Sequence, residues 1–510
     1  MTAVEEGTAA VGFRSERGAV LVAVMSTTAL VALDSTVLAT AVPTIVKEIG
    51  GFSQFPWLFS IYLLTSAVAT PLFGRLADTH GRRPVLLLGI AVFLLGSVIC
   101  AVAPGMGVLI AGRAVQGIGA GAVQPVSLTI VGDLYSVAER ARVQGYLASV
   151  WGMSAVVGPA VGGLFSQYAS WRWIFVVNLP VGIAAAWLLL RSYHETITRT
   201  RRSIDVAGAL ALVAGWSLVL LGLLEGGVAW AWNSPVGIGV LVVGVLCLVA
   251  FVLVERRAAE PVVPLWVFRR PVLVGGALAQ LGVGALLIGL DSYVPVYAQG
   301  VLGAGAVAAG FALATMTIGW PLAATFSGRL YLRIGFRDTA LAGGAVLVAG
   351  FAGGLALSGA SSLWAVAAVC FVAGVGLGLV ASPTMVAVQS SVTRDERGLA
   401  TGTAMFSRSL GSAVGVGALG AVVTAVTADR LASAPPAVRA QLPAGADAAR
   451  LTLRPDAAPD VVASVREALA TATHDLFGVL AVVALATVAA LLLIPRRTGE
   501  PTGDDAEPAG

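Results

Sequence analysis

The stretch that decides the fold is Gly74-Arg75-Leu76-Ala77-Asp78-Thr79-His80-Gly81-Arg82-Arg83-Pro84. Asp78 and the three arginines are too polar for hydrocarbon, yet long apolar runs stand on either side. Gly74 and Gly81 suit close helix approach and a tight reversal. A weaker copy returns at Gly328–Asp338, where Gly328, Arg329, Leu330, Gly335 and Arg337 match Gly74, Arg75, Leu76, Gly81 and Arg83. Leu332 replaces the acid in that copy. One basic turn used twice, half a chain apart, points to a duplicated membrane protein.

Composition agrees. Of the 510 residues, 57% are hydrophobic and 11% charged, and mean hydropathy is +0.90. That excess of apolar surface excludes a set of soluble domains. The net charge of +4 is spread over short loops and speaks for orientation, not nucleic-acid binding. Cys100, Cys247 and Cys370 all lie in apolar runs without CxxC spacing, which argues against disulfides and zinc. Arg14 and Arg17 precede a first run that is long, contains Asp34 and is followed by many others, so it reads as an uncleaved helix.

Apolar runs fall at about 19–43, 55–77, 84–104, 107–131, 142–166, 172–191, 205–225, 235–255, 271–298, 306–328, 338–358, 362–388, 398–425 and 473–495. Each is long enough to cross a core of about 30 Å, and lipid demands internally bonded backbone, hence helices. The expected fold is an all-α membrane protein with 14 transmembrane helices. With a cytoplasmic N-terminus, the inner side takes Arg82/Arg83, Arg140/Arg142, Arg199/Arg201/Arg202, Arg256/Arg257/Arg269/Arg270, Arg329/Arg333/Arg337, Arg394/Arg397 and Arg496/Arg497. The short outer loops take only Lys47 and Arg172, so both termini are placed inside.

The repeat extends beyond the basic turn. Leu33-Asp34-Ser35 returns as Leu290-Asp291-Ser292, Gly117/Gly119/Gly121 as Gly374/Gly376/Gly378, and Glu139-Arg140, Gly145, Gly158 and Gly163 as Glu396-Arg397, Gly402, Gly415 and Gly420, all 257 residues further on. The expected layout is a cytoplasmic N-tail (1–18), a six-helix bundle (19–191), a two-helix insert with charged linkers (192–270), a second six-helix bundle (271–495) and a cytoplasmic C-tail (496–510). Arg199–Ser203 and Glu255–Arg270 flank the insert, and Pro261, Pro264 and Pro271 break helix continuity there. One outer loop, 427–472, is long and rich in Ala and Pro, and Asp460–Ala472 has helical spacing that extends the last span outward.

Charged groups inside spans mark function, because a carboxylate there costs about 2.5–3.5 kcal/mol on insertion scales. Asp34 lies roughly 12–14 Å from the outer end of its run and Arg113 about 9 Å from the outer end of the fourth, so the two share a depth. Desolvation and a neighbouring guanidinium push such a carboxyl in opposite directions, which suits proton exchange; a fixed structural ion pair is the alternative. Asp291 is the repeat partner of Asp34, with Tyr293 and Tyr297 nearby, and Arg408 lies near mid-depth in the thirteenth run. Asp291 and Arg408 either form a second ion pair, or Asp291 meets a cationic cargo. Asp78, at the inner boundary, is placed to cap a helix N-terminus or to pair with Arg82 and Arg83. Trp171 and Trp173 suit an aromatic belt, and Glu225 reads as solvated at the outer edge of its run. The sequence contains no Gly-x-x-x-x-Gly-Lys-Ser/Thr, and His80, His194 and His474 have no metal-ligand spacing. Neither a nucleotide, a metal nor another cofactor is therefore expected, nor an enzyme.

Five stretches carry a resemblance to the major facilitator superfamily, specifically to its fourteen-helix drug:proton antiporters. Gly74–Pro84 resembles the loop signature between helices 2 and 3. Leu33–Pro43 resembles the first-helix signature, with Ala39 where the family usually has Asn. Arg113-Ala-Val-Gln116-Gly117-Ile-Gly119-Ala-Gly121 is similar to the fourth-helix motif, whose arginine is thought to assist proton transfer. Gly158-Pro159-Ala-Val-Gly162-Gly163 resembles the fifth-helix motif of exporters, with Ser154 where the pattern has Gly. Trp171-Arg-Trp-Ile-Phe-Val-Val-Asn178-Leu-Pro180 also resembles drug exporters.

The resemblance implies a proton-coupled efflux transporter exporting lipophilic, cationic compounds by alternating access. Proton coupling falls to Asp34, Arg113 and Asp291. The substrate pathway takes Asp34, Gln116, Gln124, Asp291, Tyr293, Tyr297 and Arg408. Gly74, Arg75, Asp78, Gly81, Arg82 and Arg83 form the conformational switch, and Gly158, Pro159, Gly162 and Gly163 the antiporter hinge. The expected partners are a small-molecule substrate, protons and the bilayer of the cell membrane, in a monomer without nucleic acid or nucleotide. An exporter dedicated to one metabolite, antibiotic or lipid is the alternative, and a non-transporting scaffold or sensor a further one.

Overall fold

The computed structural model describes residues 12–13, 15, 17–50, 54, 57–195, 206–226, 230–231, 233–258, 265–439 and 459–496. Both tails for the most part, the linker Arg199–Ser203 and the middle of the 427–472 loop lie outside these residues.

Helices account for nearly all that is described. They are α1 (Gly18–Ile49), α2 (Trp57–His80), α3 (Arg82–Ala101), α4 (Met106–Leu134), α5 (Val137–Tyr168), the short α6 (Trp173–Val176), α7 (Asn178–Ser192), α8 (Val206–Glu225) and α9 (Pro235–Glu255). Then come α10 (Pro271–Gly300), α11 (Ala306–Ile334), α12 (Phe336–Gly354), α13 (Leu363–Ser390), α14 (Arg397–Ala432), the short α15 (Pro436–Arg439) and α16 (Pro459–Leu491). The helical spacing over 460–472 thus continues unbroken into the last span.

Among the described residues, twelve helices are long and apolar enough to cross a membrane. Twelve of the fourteen apolar runs coincide with them. The other two also form helices: in α8 the described apolar stretch is Ala207–Leu223, and Arg337 and Asp338 occupy the first turn of α12.

Local chemistry explains the sharp turns. Gly81 (φ 96°) is the single residue between α2 and α3, and Gly335 (φ 89°) the single residue between α11 and α12. Only glycine takes that backbone without penalty, so each reversal costs one residue. The acids at offset 257 have a structural reason too: Glu139 accepts from the Ser136 N–H (2.8 Å) and Glu396 from the Thr393 N–H (3.3 Å), each closing a helix start.

The chain forms two compact units, 1–203 with 392–402, and 204–391 with 403–510. In the first, α1 packs on α4, α5 and α7, while α4 packs on α2 and α3. Its apolar core is split. One cluster holds Val20–Val31 positions of α1 with Phe93, Ile130 and Leu189. The other holds Val37, Leu38, Ala41 and Ile45 with Leu58, Leu109, Trp171 and Phe175. In the second unit, α10 packs on α11, α13 and α16, and α13 on α11 and α12, around one large cluster, while α8 packs on α9.

Two placements correct the sequence reading. Trp171 is fully buried rather than belted; its Nε1 donates to Glu48 (2.8 Å), and only Trp173 is exposed. Glu225 is buried rather than solvated.

Candidate functional site

A polar layer fills the gap between the two apolar clusters of the first unit. Four helices contribute: Asp34 from α1, Ser97 from α3, Arg113 and Gln116 from α4, and Asn178 at the start of α7. All five are buried. Burial without partners would be prohibitive, and the layer leaves little unpaired. Arg113 Nη1 donates to Asp34 Oδ2 (2.5 Å) and to Gln116 Oε1 (2.9 Å), and its Nε donates to the Leu58 carbonyl (3.1 Å). The Tyr62 ring lies 4.1 Å from the guanidinium carbon. Gln116 Nε2 (3.0 Å) and Asn178 Nδ2 (2.9 Å) both donate to Asp34 Oδ1. The same two nitrogens donate to Ser97 Oγ (2.8 and 3.3 Å). Asp34 therefore receives three donors.

The glycines of α4 and α5 let these helices close up. Gly117 and Gly121 meet α2, Gly119 meets Phe93 of α3, and a Cβ at any of them would press on the neighbour's backbone. On α5, Gly158 faces Thr36 and Gly162 faces Val37 and Thr40 of α1, while Thr36 donates to the Ser154 carbonyl (3.0 Å). Gly163 faces no atom within 4 Å. Pro159 lies within the unbroken helix α5.

The basic turn closes the other end of the unit. Asp78 does both things open to it: its carboxylate accepts from the Gly398 (2.9 Å) and Leu399 (2.7 Å) amides at the start of α14, and pairs with Arg82 (3.1 Å). Arg82, fully buried, also meets Asp133 (3.0 Å) and donates to the Arg394 carbonyl. Asp133 in turn accepts from Arg397 (3.1 Å). Glu195 accepts from the Arg82 and Arg83 amides (2.6 and 3.1 Å), capping α3 beside Gly81. Gly74 touches Gly398 backbone to backbone. Arg75 is half-buried and within electrostatic reach of Asp78.

At the far end of α1, outside the apolar span, Glu48 pairs with Arg172, whose guanidinium lies 4.4 Å from the Trp171 ring. The Arg172 hydrogen bond holds the Glu48 carboxyl below its usual range.

The second unit is built differently. Asp291 is exposed and makes no hydrogen bond or ion pair among the described residues. Arg408 does not pair with it. Instead Arg408 Nε (3.0 Å) and Nη2 (2.8 Å) donate to Gln280 Oε1, and its guanidinium lies 5.5 Å from the Trp320 ring. Tyr293 is half-buried; Tyr297 is buried and donates to the Ser358 carbonyl (2.7 Å). Gln124 is half-buried on α4.

Sequence reasoning missed Ser97, Asn178, Tyr62, Gln280, Asp133 and Glu195. A signal existed for Ser97, Asn178 and Gln280, each a polar residue inside an apolar run. Asp133 stood as an acid at the inner end of the fourth run. Tyr62 and Glu195 carried none.

These helices and the layered charges are those of a membrane transporter. The family model described as the Major Facilitator Superfamily matches residues 24–416, and the chain belongs to that superfamily. It is thus a multi-pass membrane protein and a transporter, not an enzyme. Among its relatives, the Multidrug transporter protein MdtP of Bacillus subtilis (strain 168) is 33% identical over 394 residues, which cover 77% of this chain and 73% of that protein. Multidrug resistance protein 3 of the same organism is 33% identical over 404 residues, 78% of each chain. Among solved structures, the human organic anion transporter MFSD10 (TETRAN) shares the fold, with a TM-score of 0.60 at 16% identity over 92% of this chain and 99% of that one.

Proposed function

We propose that this chain is a proton-coupled efflux transporter that exports lipophilic, cationic drugs or toxic compounds by alternating access, and that it belongs to the fourteen-helix drug:proton antiporters. The names of its relatives support drug efflux. The observation that carries the coupling is the buried Asp34–Arg113 pair. On this reading an entering proton neutralises Asp34, frees Arg113 and loosens the Gln116 and Asn178 bonds together, so one proton alters contacts among α1, α4 and α7. Asp291, with no counter-ion among the described residues, would take a cationic cargo or a second proton on the same reading. Gln124, Tyr293, Tyr297 and Arg408 complete the pathway.

In the same proposal, all fourteen apolar runs cross the cell membrane. They form two six-helix pseudo-repeat bundles around a two-helix insert, with both termini cytoplasmic and the protein monomeric. Gly74, Arg75, Asp78, Gly81, Arg82 and Arg83 are the switch that holds the start of α14 in one state. Gly158, Pro159, Gly162 and Gly163 form the hinge along α1. A dedicated exporter of one metabolite would use the same helices but accept a narrow set of compounds.

The test is exchange itself. In proteoliposomes, adding a lipophilic cation should drive protons in the opposite direction, seen by a trapped pH dye, and Asp34→Asn should abolish that flux. Cation movement that leaves the pH dye unchanged would contradict proton antiport.

A further inference from the structure

The two units treat their membrane charges in opposite ways. In the first, Asp34 and Arg113 neutralise one another. In the second, among the described residues, Asp291 has no hydrogen-bond or ion-pair partner, and Arg408 meets the neutral oxygen of Gln280 and the Trp320 ring but no carboxylate. Gln280 cannot offer more, because its own nitrogen is committed to the Ala381 carbonyl (3.1 Å) and Thr384 Oγ1 (3.2 Å). A membrane protein keeps isolated charges at a cost, so each marks a functional position.

Their spacing is regular. Gln280, which holds Arg408, and Asp291 are eleven residues apart on α10, about three helical turns, so they share one face about 16 Å apart along the axis. α13 runs alongside in antiparallel register: Gly276 lies against Val388 and Gln280 meets Ala381, seven residues earlier. α14 closes the same face, with Ser412 donating to the Gly284 carbonyl (3.1 Å) and Gly420 beside the Tyr293 hydroxyl. The Trp320 ring flanks the arginine. Both charged side chains are accessible: Asp291 is exposed and Arg408 half-buried.

We propose that the second unit binds an elongated amphiphile carrying a cation and an anion at opposite ends, the cation at Asp291 and the anion at Arg408. This rests on the export reading and narrows its cargo from lipophilic cations to compounds that also bear a carboxylate or similar anion. Arg408 supplies guanidinium donors that Gln280 does not use, and Trp320 gives an aromatic or apolar body a face to lie on. A compact ion cannot reach both ends.

Equilibrium binding to the purified full-length protein tests this without any proton gradient. The probes are carboxydecyl triphenylphosphonium, its methyl ester, and the short carboxyethyl analogue, followed by tryptophan quenching. The long acid should bind about tenfold more tightly than its ester, one good charge-assisted contact's worth. The short acid should show no such gain. Arg408→Gln should erase the difference between acid and ester, Arg408→Lys should keep much of it, and Asp291→Asn should weaken both long probes. Equal binding of long acid and ester, or an advantage that survives Arg408→Gln in monodisperse protein, would overturn the proposal. If the ester is bound but not expelled by a pH gradient, the export reading fails while the binding result stands.

Discussion

Asp34 is held by three donors from two helices, and that number sets how much each matters. Asn178→Ala removes one hydrogen bond to a charged group and leaves Ser97 with one donor fewer. Such a bond is worth about 1.5–3 kcal/mol, so the variant should lose thermal stability by that order, measured by unfolding in detergent with Asn178→Ser as the milder comparison. A variant as stable as the parent would show that Asn178 does not hold the carboxylate. At this scale Asp34 and Arg113 were legible, because a full charge in an apolar run has few innocent explanations. Ser97 and Asn178 were not, because small polar residues often satisfy themselves against their own helix, as Ser35 and Thr40 do here.

Between elements, contact geometry separates residues that sequence had grouped. Gly162 packs against Val37 and Thr40, whereas Gly163 faces no atom within 4 Å. Gly162→Val should therefore destabilise the α1–α5 seam by about 1–3 kcal/mol and cut efflux, while Gly163→Ala should leave melting temperature within error; equal effects would refute the seam. The motif resemblance named both glycines alike, since it carries no information on which face meets a neighbour. The end of α1 makes a pH prediction. The Glu48 carboxyl is held below its usual range by Arg172, so the folded state binds that proton later than the unfolded state. Its contribution is present above the ordinary carboxylate value of 4.5 and is lost as pH falls through the lowered one. Melting temperature should fall over that acid window, and Glu48→Gln should flatten this part of the profile. The Trp171 bond to Glu48 was invisible because an aromatic-belt position explained both tryptophans equally well.

Over the whole molecule, the helical membrane class was legible from run length and arginine placement, and the 257-residue offset marks residues with matching local roles, such as Glu139 and Glu396. The offset also paired Asp34 with Asp291, yet one is buried among donors and the other is exposed without a partner among the described residues. Sequence repetition preserves backbone roles more faithfully than charge balance, because partners on other helices change independently. The basic turn shows the same: Asp78 was legible, but its donors at Gly398 and Leu399 are backbone amides 320 and 321 positions away, which no side-chain pattern announces. Asp78→Asn should release the start of α14, lowering turnover in an efflux assay while equilibrium binding of a cation persists; unchanged turnover would remove Asp78 from the switch.

The central claim, that one buried carboxylate couples proton entry to cargo exit, is tested most directly in sealed vesicles loaded with a fluorescent lipophilic cation, comparing the parent protein with Asp34→Asn. The account predicts efflux that collapses with the pH gradient and vanishes in the variant. Gradient-driven efflux that continues in folded Asp34→Asn protein would contradict it.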